Sequence, residues 1–212
     1  AEDLGIAKFD ILSQRGLGHI KDAVIYVKEN QGIDIDIHQI QAFKNDPTIR
    51  RLIESGHTTG CFYVESPAMR QLLRKLKCND YLTLVAASSV IRPGVARSGM
   101  MRTFIERHIQ PEKRKDAHPV LWDLMPETYG IMVYHSASYA VESYQSLYLK
   151  AYYPLEFYTA VINNFGGFYR TEFYVHAARK SGALIQAPCI NESDTLTRIQ
   201  GKTLWLGLGL VD

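Results

Sequence analysis

Residues 135–157 read HSASYAVESYQSLYLKAYYPLEF, and this stretch decides the fold class of the sequence. Tyr144 and Tyr148 lie four residues apart, and small or aliphatic residues fill the adjoining stripe, which is the spacing of an α-helix. Ser136 is placed to cap its start, and Pro154 ends it and begins another helix, because a first-turn residue needs no N–H. Each of its five tyrosine hydroxyls needs water or a partner. The pattern predicts either the central helix of a polar-lined cleft or an ordinary helix with several half-exposed tyrosines.

Cap and stop signals predict further helices on both sides of this stretch. A capping side chain is followed by a first-turn proline at Asp46-Pro47 and again at Ser66-Pro67. Asn79 is a third candidate cap. Gly32 and Gly56 are stop signals, because glycine commonly ends a helix. The predicted helices cover residues 17–30, 47–55, 67–77, 81–90, 98–109, 155–164 and 171–181, with a short element over 121–125. The body of the chain is therefore predicted to be helical.

Short β elements are predicted near both ends of the chain. Residues 6–12 form a candidate strand, 33–37 alternate isoleucine with aspartate, and 60–64 are apolar and strand-like. Alternating leucines over 204–210, after a Gln200-Gly201 turn, predict a C-terminal β-hairpin. The predicted fold class is mainly α with small β elements.

The net charge of +2 hides a strongly basic middle. Residues 66–115 contain eleven Lys/Arg and three Asp/Glu, whereas both flanks are mildly acidic. The region ends in a charged segment, 111–119, that is predicted to be a loop. Such a bias indicates a surface that faces a polyanion, or a solvated set of helix faces.

Composition and motifs exclude several classes of protein. A hydrophobic content of 46% with 22% charged residues is ordinary for a globular protein, and no apolar run reaches the length of a membrane span. Cys61, Cys78 and Cys189 form no disulfide framework and no zinc pattern, so we expect reduced thiols and a cytoplasmic protein. The glycine-rich phosphate loops and the G-x-S-x-G nucleophile turn are absent from the sequence.

Four residues are candidates for phosphate chemistry, each with a plainer alternative. Lys8 and Asp10 would project from one face of a strand, about 6–7 Å apart. Asp10 could then hold Mg²⁺ and Lys8 a phosphate, or the two could form a surface ion pair. Arg92, beside Pro93-Gly94, could bind phosphate or its own helix's last carbonyls. His135 is either a phosphate contact or a histidine beside a helix cap.

Several short segments of the sequence form an ordered set. They are KFDIL (8–12), TTGCFYVESPAMR (58–70), RPGVARSGM (92–100), ETYGIMVY (127–134), the stretch 135–157, and NES (191–193). In this order they resemble motifs of the bacterial DNA polymerase III alpha subunits, the C-family replicative DNA polymerases. Six segments in order are far more specific than any one of them.

The resemblance implies a template-directed DNA polymerase that uses two Mg²⁺ ions held by three aspartates of its palm. Asp10 stands where the third aspartate falls and is the implied catalytic and metal-binding residue. The implied nucleotide-binding residues are Lys8, Arg92, His135 and Ser136. The implied DNA-binding residues are Arg70, Arg74, Lys75, Arg97 and Arg102. The implied partners are template–primer DNA, deoxynucleoside triphosphates, and replicase subunits such as a sliding clamp and a proofreading subunit, with no membrane.

The resemblance also divides the chain and marks a departure from the family. Residues 1–15 would end the palm, 16–182 would form the helical fingers domain, and 183–212 a small β-containing segment. Tyr134 is followed directly by His135, where the family has a helical stretch with two arginines for the triphosphate, so an excision or gap is predicted there. The 212-residue piece is therefore expected to be inactive alone. The alternatives are a non-catalytic basic nucleic-acid-binding module and a partner-docking helical module.

Overall fold

The computed structural model of the chain describes residues 14–131 and 137–211 and confirms the mainly helical class. The α-helices in these ranges are α1 (Arg15–Gln31), α2 (Ile40–Asn45), α3 (Pro47–Ser55), α4 (Pro67–Leu76), α5 (Tyr81–Val90), α6 (Pro93–Arg97), α7 (Met100–Ile109), α8 (Pro119–Leu124), α9 (Ala137–Tyr152), α10 (Pro154–Asn163) and α11 (Thr171–Lys180). The strands are β1 (Leu184–Gln186), β2 (Arg198–Gln200) and β3 (Thr203–Trp205). None of these helices combines the length and the apolar character that a bilayer span requires.

The core is organised around α9 and α10. Helix α9 packs against α1, α2, α3, α5 and α10, and α10 packs in turn against α1 and α11. Leu147 and Leu149 are both fully buried although they lie on different sides of α9, because neighbours surround that helix. Phe157 and Val161 of α10 are equally buried, and each such side chain contributes about 1.5–3 kcal/mol by leaving water.

The tyrosines of α9 fit both of the predicted descriptions, each at a different position. Tyr144 is fully buried in the core, Tyr152 is exposed, and Tyr139 and Tyr148 are half-buried. The Tyr148 ring stacks on Phe43 of α2, with ring centroids 4.2 Å apart. One helix thus presents tyrosines to the core, to a cleft described below, and to the surface.

The predicted capping signals of α3 and α4 are confirmed. The Asp46 carboxylate accepts hydrogen bonds from the backbone N–H groups of Thr48 and Ile49 at 2.7 and 2.9 Å. Gly56 ends α3 in the left-handed conformation, with φ of 65°. Ser66 accepts from the N–H of Met69 at 3.2 Å and so caps α4.

The predicted cap of α5 was wrong by one residue. Asp80, not Asn79, accepts the hydrogen bond from the Thr83 N–H, at 2.9 Å, because Asp80 directly precedes the first helical residue. Arg92 was predicted at a helix end, but it stands before a new helix, α6, because Pro93 occupies the first turn.

Two further predictions of the basic region change in detail. The helix predicted from residue 98 begins at Met100, because Gly99 adopts a φ of 84° and separates α6 from α7. The predicted loop over 111–119 contains a 3₁₀ turn, Pro111–Asp116, and its last residue already starts α8.

The strand predicted over residues 60–64 was wrong, because this segment is a compact run of turns. Gly60 and Tyr63 both adopt positive φ, 81° and 64°, which no strand permits. The Thr58 hydroxyl closes the turns by donating to the Val64 carbonyl at 2.6 Å. Apolar composition alone suggested a strand, but Cys61 and Val64 are buried from a loop, whereas Phe62 and Tyr63 are half-buried.

The C-terminal hairpin is confirmed in its first half only. Strands β2 and β3 pair antiparallel, and β1, which the sequence did not indicate, pairs parallel with β3 to give the order β1-β3-β2. The predicted alternation to residue 210 was wrong, because β3 ends at Trp205. A Cβ at Gly207 would lie 2.4 Å from the Thr195 carbonyl oxygen, and this close backbone approach turns the chain into a 3₁₀ turn, Leu208–Leu210.

The other two β segments that the sequence predicts are residues 33–37 and 6–12. Residues 33–37 are irregular rather than a strand, with Ile35 and Ile37 partly buried against the core. The strand predicted over 6–12 and the join of Tyr134 to His135 lie outside the described residues, and the domain boundaries stay predictions.

Candidate nucleic-acid interface

A buried carboxylate, Glu65, joins distant segments next to the compact turns of residues 58–66. It accepts hydrogen bonds from the Gly60 N–H at 2.7 Å, the Phe168 N–H at 2.9 Å and the Tyr174 hydroxyl at 2.6 Å. Hydrogen bonds to an ionised acceptor are stronger than neutral ones. Glu65 therefore fixes two loops and α11 relative to each other.

Tyr174 extends this arrangement into the loop of residues 165–170. Its hydroxyl accepts hydrogen bonds from the N–H groups of Gly167 and Tyr169, at 3.1 and 3.0 Å, while it donates to Glu65. Burial raises the pKa of the Tyr174 phenol, and the carboxylate raises it further, so the hydroxyl keeps its proton. The backbone of the loop is thus held through one side chain.

Lys150 of α9 supplies the neighbouring positive charge. Its ammonium donates to the Thr59 carbonyl at 2.6 Å and lies 5.6 Å from the centre of the Tyr158 ring. Burial lowers the pKa of Lys150, and the charge of Glu65 opposes that change. Lys150 is half-buried, and its hydrogen bond to the Thr59 carbonyl helps to position the turns.

An open cleft of about 730 Å³ lies beside the same turns, and we call it the aromatic cleft. Its walls include Arg15 at the start of α1 and the rings of Phe62, Tyr63, Tyr139 and Phe168. The rings of Tyr63 and Tyr139 stack with centroids 4.8 Å apart. The cleft is therefore a largely aromatic surface with a cation at its edge.

His19 of α1 also lines the aromatic cleft and is almost fully buried. Burial lowers the pKa of His19 to about 4, although a hydrogen bond to the Gly166 backbone and the charge of Asp22 act in the opposite direction. Its Nε2 has no hydrogen-bond partner in the described part of the chain. A neutral imidazole with one buried, unpartnered ring nitrogen therefore borders the cleft.

Two of the predicted DNA-binding residues, Arg70 and Arg74, hold the end of α3. Their Nε atoms donate to the carbonyls of Gly56 and Ser55, each at 2.8 Å. Arg70 also reaches the Tyr169 hydroxyl at 3.4 Å. Arg70 is half-buried and Arg74 is exposed, so both guanidinium groups contribute to folding through their Nε donors.

The other three predicted DNA-binding residues, Lys75, Arg97 and Arg102, are exposed on α4, α6 and α7. Arg102 pairs with Glu106 at 3.0 Å, and Lys113 lies 3.4 Å from the same carboxylate. The hydrogen bond from Arg102, with the charge of Lys113, lowers the pKa of Glu106. Exposed pairs of this kind contribute little stability, so these cations remain open to a polyanion.

Other arginines of the basic region bind backbone groups. Arg107 donates to the Tyr129 carbonyl at 2.7 Å, and Arg114 donates to the Arg107 carbonyl at 2.9 Å. The Arg114 guanidinium also lies 4.4 Å from the centre of the Tyr129 ring. The excess positive charge of residues 66–115 therefore divides into cations that hold the fold and cations that face solvent.

The predicted nucleotide-binding residues are mostly beyond structural description. Arg92 is half-buried at the start of α6 and interacts with its surroundings. Lys8, Asp10, His135 and Ser136 lie outside the described residues, so no geometry joins them to Arg92.

The described ranges, 14–131 and 137–211, contain no group of three or more His, Cys, Asp or Glu side chains that could hold a metal ion. The predicted Mg²⁺ ligand, Asp10, falls outside them.

Sequence reasoning missed the roles of Glu65, Tyr174 and Lys150. Glu65 was quoted within the segment 58–70, but no local pattern predicts a partner 109 residues away. The aromatic cleft was missed for the same reason, because its rings come from three separate segments. The one signal available in the sequence was an acidic residue among apolar neighbours. That signal is weak, because the sequence alone does not reveal whether the acid is buried.

Comparisons with known proteins identify a family for the chain. Residues 16–143 match a family described as the bacterial DNA polymerase III alpha subunit finger domain. The DNA polymerase III subunit alpha of Staphylococcus aureus (strain Mu50 / ATCC 700699) is 26% identical over 285 aligned residues, which take in 100% of this chain and 26% of that protein. The DNA polymerase III subunit alpha of Aquifex aeolicus (strain VF5) is 36% identical over 133 residues, or 63% of this chain and 11% of that protein. The chain thus spans about a quarter of the length of its Staphylococcus relative.

Proposed function

We propose a role for this chain from one premise: it belongs to the bacterial DNA polymerase III alpha subunit finger domain family, which its residues 16–143 match. In this proposal the chain is the DNA- and nucleotide-facing fingers part of a replicative DNA polymerase. The family match is the observation that carries it. The exposed cations of α4, α6 and α7 support it, because they place positive charge at the surface, where a DNA backbone would reach it.

The proposal assigns DNA contacts to two groups of basic residues, which differ in whether they also hold α3. Lys75, Arg97 and Arg102 would neutralise phosphates directly. Arg70 and Arg74 would contribute through guanidinium nitrogens other than the Nε atoms that bind α3. Arg92, Lys8, His135 and Ser136 would face the incoming nucleotide.

The whole protein would join a primer 3′-hydroxyl to the α-phosphorus of a deoxynucleoside triphosphate and release pyrophosphate. Bound Mg²⁺ would lower the charge barrier to that transfer, and Asp10 is the one ligand we assign to it in this chain. Expected partners are template–primer DNA, a sliding clamp and a proofreading subunit, in the bacterial cytoplasm.

The length of the alignment supports the proposal that this chain lacks a segment that the Staphylococcus relative contains. The aligned length is 285 residues, whereas the chain has 212, so the Staphylococcus protein carries residues without counterparts here. We propose that they fall between Tyr134 and His135, where the triphosphate-binding arginines of the family are expected. The 212-residue polypeptide would then bind DNA but not extend a primer.

Binding to a labelled primer–template duplex tests the DNA-facing role. The double variant Arg97→Glu/Arg102→Glu should weaken binding at least tenfold at about 100 mM salt, because each reversal removes a phosphate contact. Lys28→Glu is the matched control, since Lys28 is exposed at the far end of α1 and pairs only with exposed Asp34 among the interactions described. Equal affinities of the double variant and the control would overturn the assignment of these arginines.

Primer extension separates the two catalytic outcomes. With Mg²⁺ and all four deoxynucleoside triphosphates, the polypeptide should leave the primer unextended while it still binds the duplex. Extension above a no-protein control would show that the polypeptide is active alone, contrary to the proposal.

A further inference from the structure

The loop of residues 165–170 is the shared wall of two large clefts. On one side Phe168 lines the aromatic cleft. On the other side Phe165 and Arg170 line a second cleft of about 840 Å³, with His176 and Arg179 of α11 opposite. We call this second space the basic cleft. The loop therefore has the aromatic cleft on one side and the basic cleft on the other.

The rings on this loop are exposed although its backbone is firmly held. Phe165 and Phe168 are 74% and 60% exposed, which is costly for apolar side chains of this size. Yet the backbone N–H groups of Gly167, Phe168 and Tyr169 are bound by the Tyr174–Glu65 pair. A fixed loop that displays phenyl rings to solvent is suited to binding a ligand. Because the loop is already ordered, binding does not have to supply the free energy of ordering it.

Further aromatic residues continue the surface. Phe173, 42% exposed, stacks on Tyr169 with ring centroids 4.3 Å apart. The Phe168 ring meets Tyr169 edge to face at 5.2 Å. Contiguous exposed rings of this kind mark an interaction surface rather than scattered apolar residues.

The charge around the rings identifies the class of ligand. Arg15 lies at the aromatic cleft, and Arg170 and Arg179 lie at the basic cleft, with Glu172 the one acidic residue of its lining. Cations with flat aromatic faces are the combination that binds single-stranded nucleic acid, since phosphates meet the cations and bases stack on the rings. Paired bases inside a duplex do not offer these faces.

We propose that a single-stranded stretch of nucleic acid crosses the loop of residues 165–170. Bases stack on Phe165 and Phe168, and the backbone is neutralised by Arg170 and Arg179. This inference rests on the proposed DNA-facing function and adds a path for the unpaired template strand.

The test uses the 212-residue chain and a labelled twelve-nucleotide oligothymidylate, with an abasic oligonucleotide of the same length as the probe of stacking. The wild-type chain should bind the oligothymidylate at least tenfold more tightly than the abasic strand. Phe165→Ala/Phe168→Ala should remove most of that difference and leave abasic binding unchanged. Phe165→Leu/Phe168→Leu, which keeps apolar side chains but no ring faces, should behave like the alanine variant.

The charge test is complementary. Arg170→Glu/Arg179→Glu should weaken both oligonucleotides equally and make the slope of log affinity against log salt shallower by about 1.4, since two phosphate contacts are lost. The Lys28→Glu chain should bind like the wild type. Circular dichroism and the unfolding midpoint of each variant confirm folding, which exposed positions should not disturb.

The outcomes separate this inference from the function on which it rests. If primer–template duplex binds as proposed but the alanine variant prefers oligothymidylate over the abasic strand as strongly as the wild type, the stacking path is wrong and the DNA-facing function stands. If no oligonucleotide or duplex binds at low salt, both are wrong. Binding that requires a protein partner instead of nucleic acid would also overturn the path.

Discussion

The Tyr174 hydroxyl donates a 2.6 Å hydrogen bond to the carboxylate of Glu65, and so joins residues that lie 109 positions apart in the chain. Through this pair the turns of residues 58–66 and the loop of residues 165–170 form one rigid unit. The unit lies against α9, whose Lys150 binds the same turns at the Thr59 carbonyl. Segments that resemble polymerase motifs thus meet here as structural supports of the clefts.

The first prediction concerns the Tyr174 hydroxyl. Tyr174→Phe leaves the buried Glu65 and the backbone N–H groups of Gly167 and Tyr169 short of a partner, so it should lower the free energy of unfolding by about 2–3 kcal/mol. Tyr144→Phe is the matched control, because Tyr144 is equally buried but its hydroxyl has no hydrogen-bond partner among the described residues. Urea unfolding should show the control within about 0.5 kcal/mol of the wild type. Similar losses in both variants would contradict the role of the pair.

The second prediction concerns the packing of α1 on Phe62. A Cβ at Gly16 would lie 2.1 Å from the Phe62 ring, so Gly16→Ala should cost about 1–3 kcal/mol of unfolding free energy despite the helix preference of alanine. Gly94→Ala in α6 adds a Cβ that meets nothing within 4 Å and should be neutral or slightly stabilising. Thermal unfolding of the two variants checks this, and a neutral Gly16→Ala would show that Phe62 is free to move.

The third prediction concerns the pH dependence of the α3 cap. Burial raises the pKa of Asp46, but hydrogen bonds from Tyr152, Ile49 and Thr48 outweigh it and leave the pKa below its usual value. Asp46 therefore stabilises the fold above the unfolded pKa of about 3.9, and the contribution is lost as pH falls through the lower folded pKa.

Two variants isolate that contribution. At pH 7 Asp46→Ala should lose about 1 kcal/mol of unfolding free energy through the missing cap. Asp46→Asn keeps an acceptor but has no carboxylate to titrate, so the wild type should lose its advantage over this variant as the solution is acidified below about pH 4. An advantage that stayed constant into acid would contradict the assigned pKa change.

The fourth prediction concerns thiol reactivity. Burial raises the pKa of Cys61 to about 12 and raises that of Cys78 as well, whereas Cys189 is exposed. Because the thiolate is the reacting species, a thiol reagent at pH 8 should label one cysteine rapidly in the native chain and three after unfolding. Cys189→Ser should abolish the rapid phase. Rapid labelling that persists in that variant would show that a buried site opens.

Local signals in the sequence predicted the helices well. Asp46, Gly56 and Ser66 act within three or four residues of their own position, so their caps could be read from spacing alone. The class of the fold and the burial of Leu147 follow from the same local periodicity.

Features that depend on distant partners could not be predicted. The Glu65–Tyr174 pair and the pairing of β1 with β3 exist only when separate segments meet. The strand prediction for residues 60–64 failed for a related reason. Their apolar side chains indicate burial, but they do not indicate the positive φ of Tyr63. Among the candidate site residues, the sequence identified cations but could not tell Arg74, which binds α3, from Arg97, which faces solvent.

The salt dependence of primer–template binding is the most direct test of a DNA-facing role. Fluorescence anisotropy with the 212-residue chain should show log affinity falling linearly with log salt, with a slope of about −2.7 to −3.6 if three or four phosphates are neutralised. The slope should become shallower by about 2 in Arg97→Glu/Arg102→Glu and stay unchanged in Lys28→Glu. An absence of binding at low salt, or an affinity that does not change with salt, would contradict the proposed function.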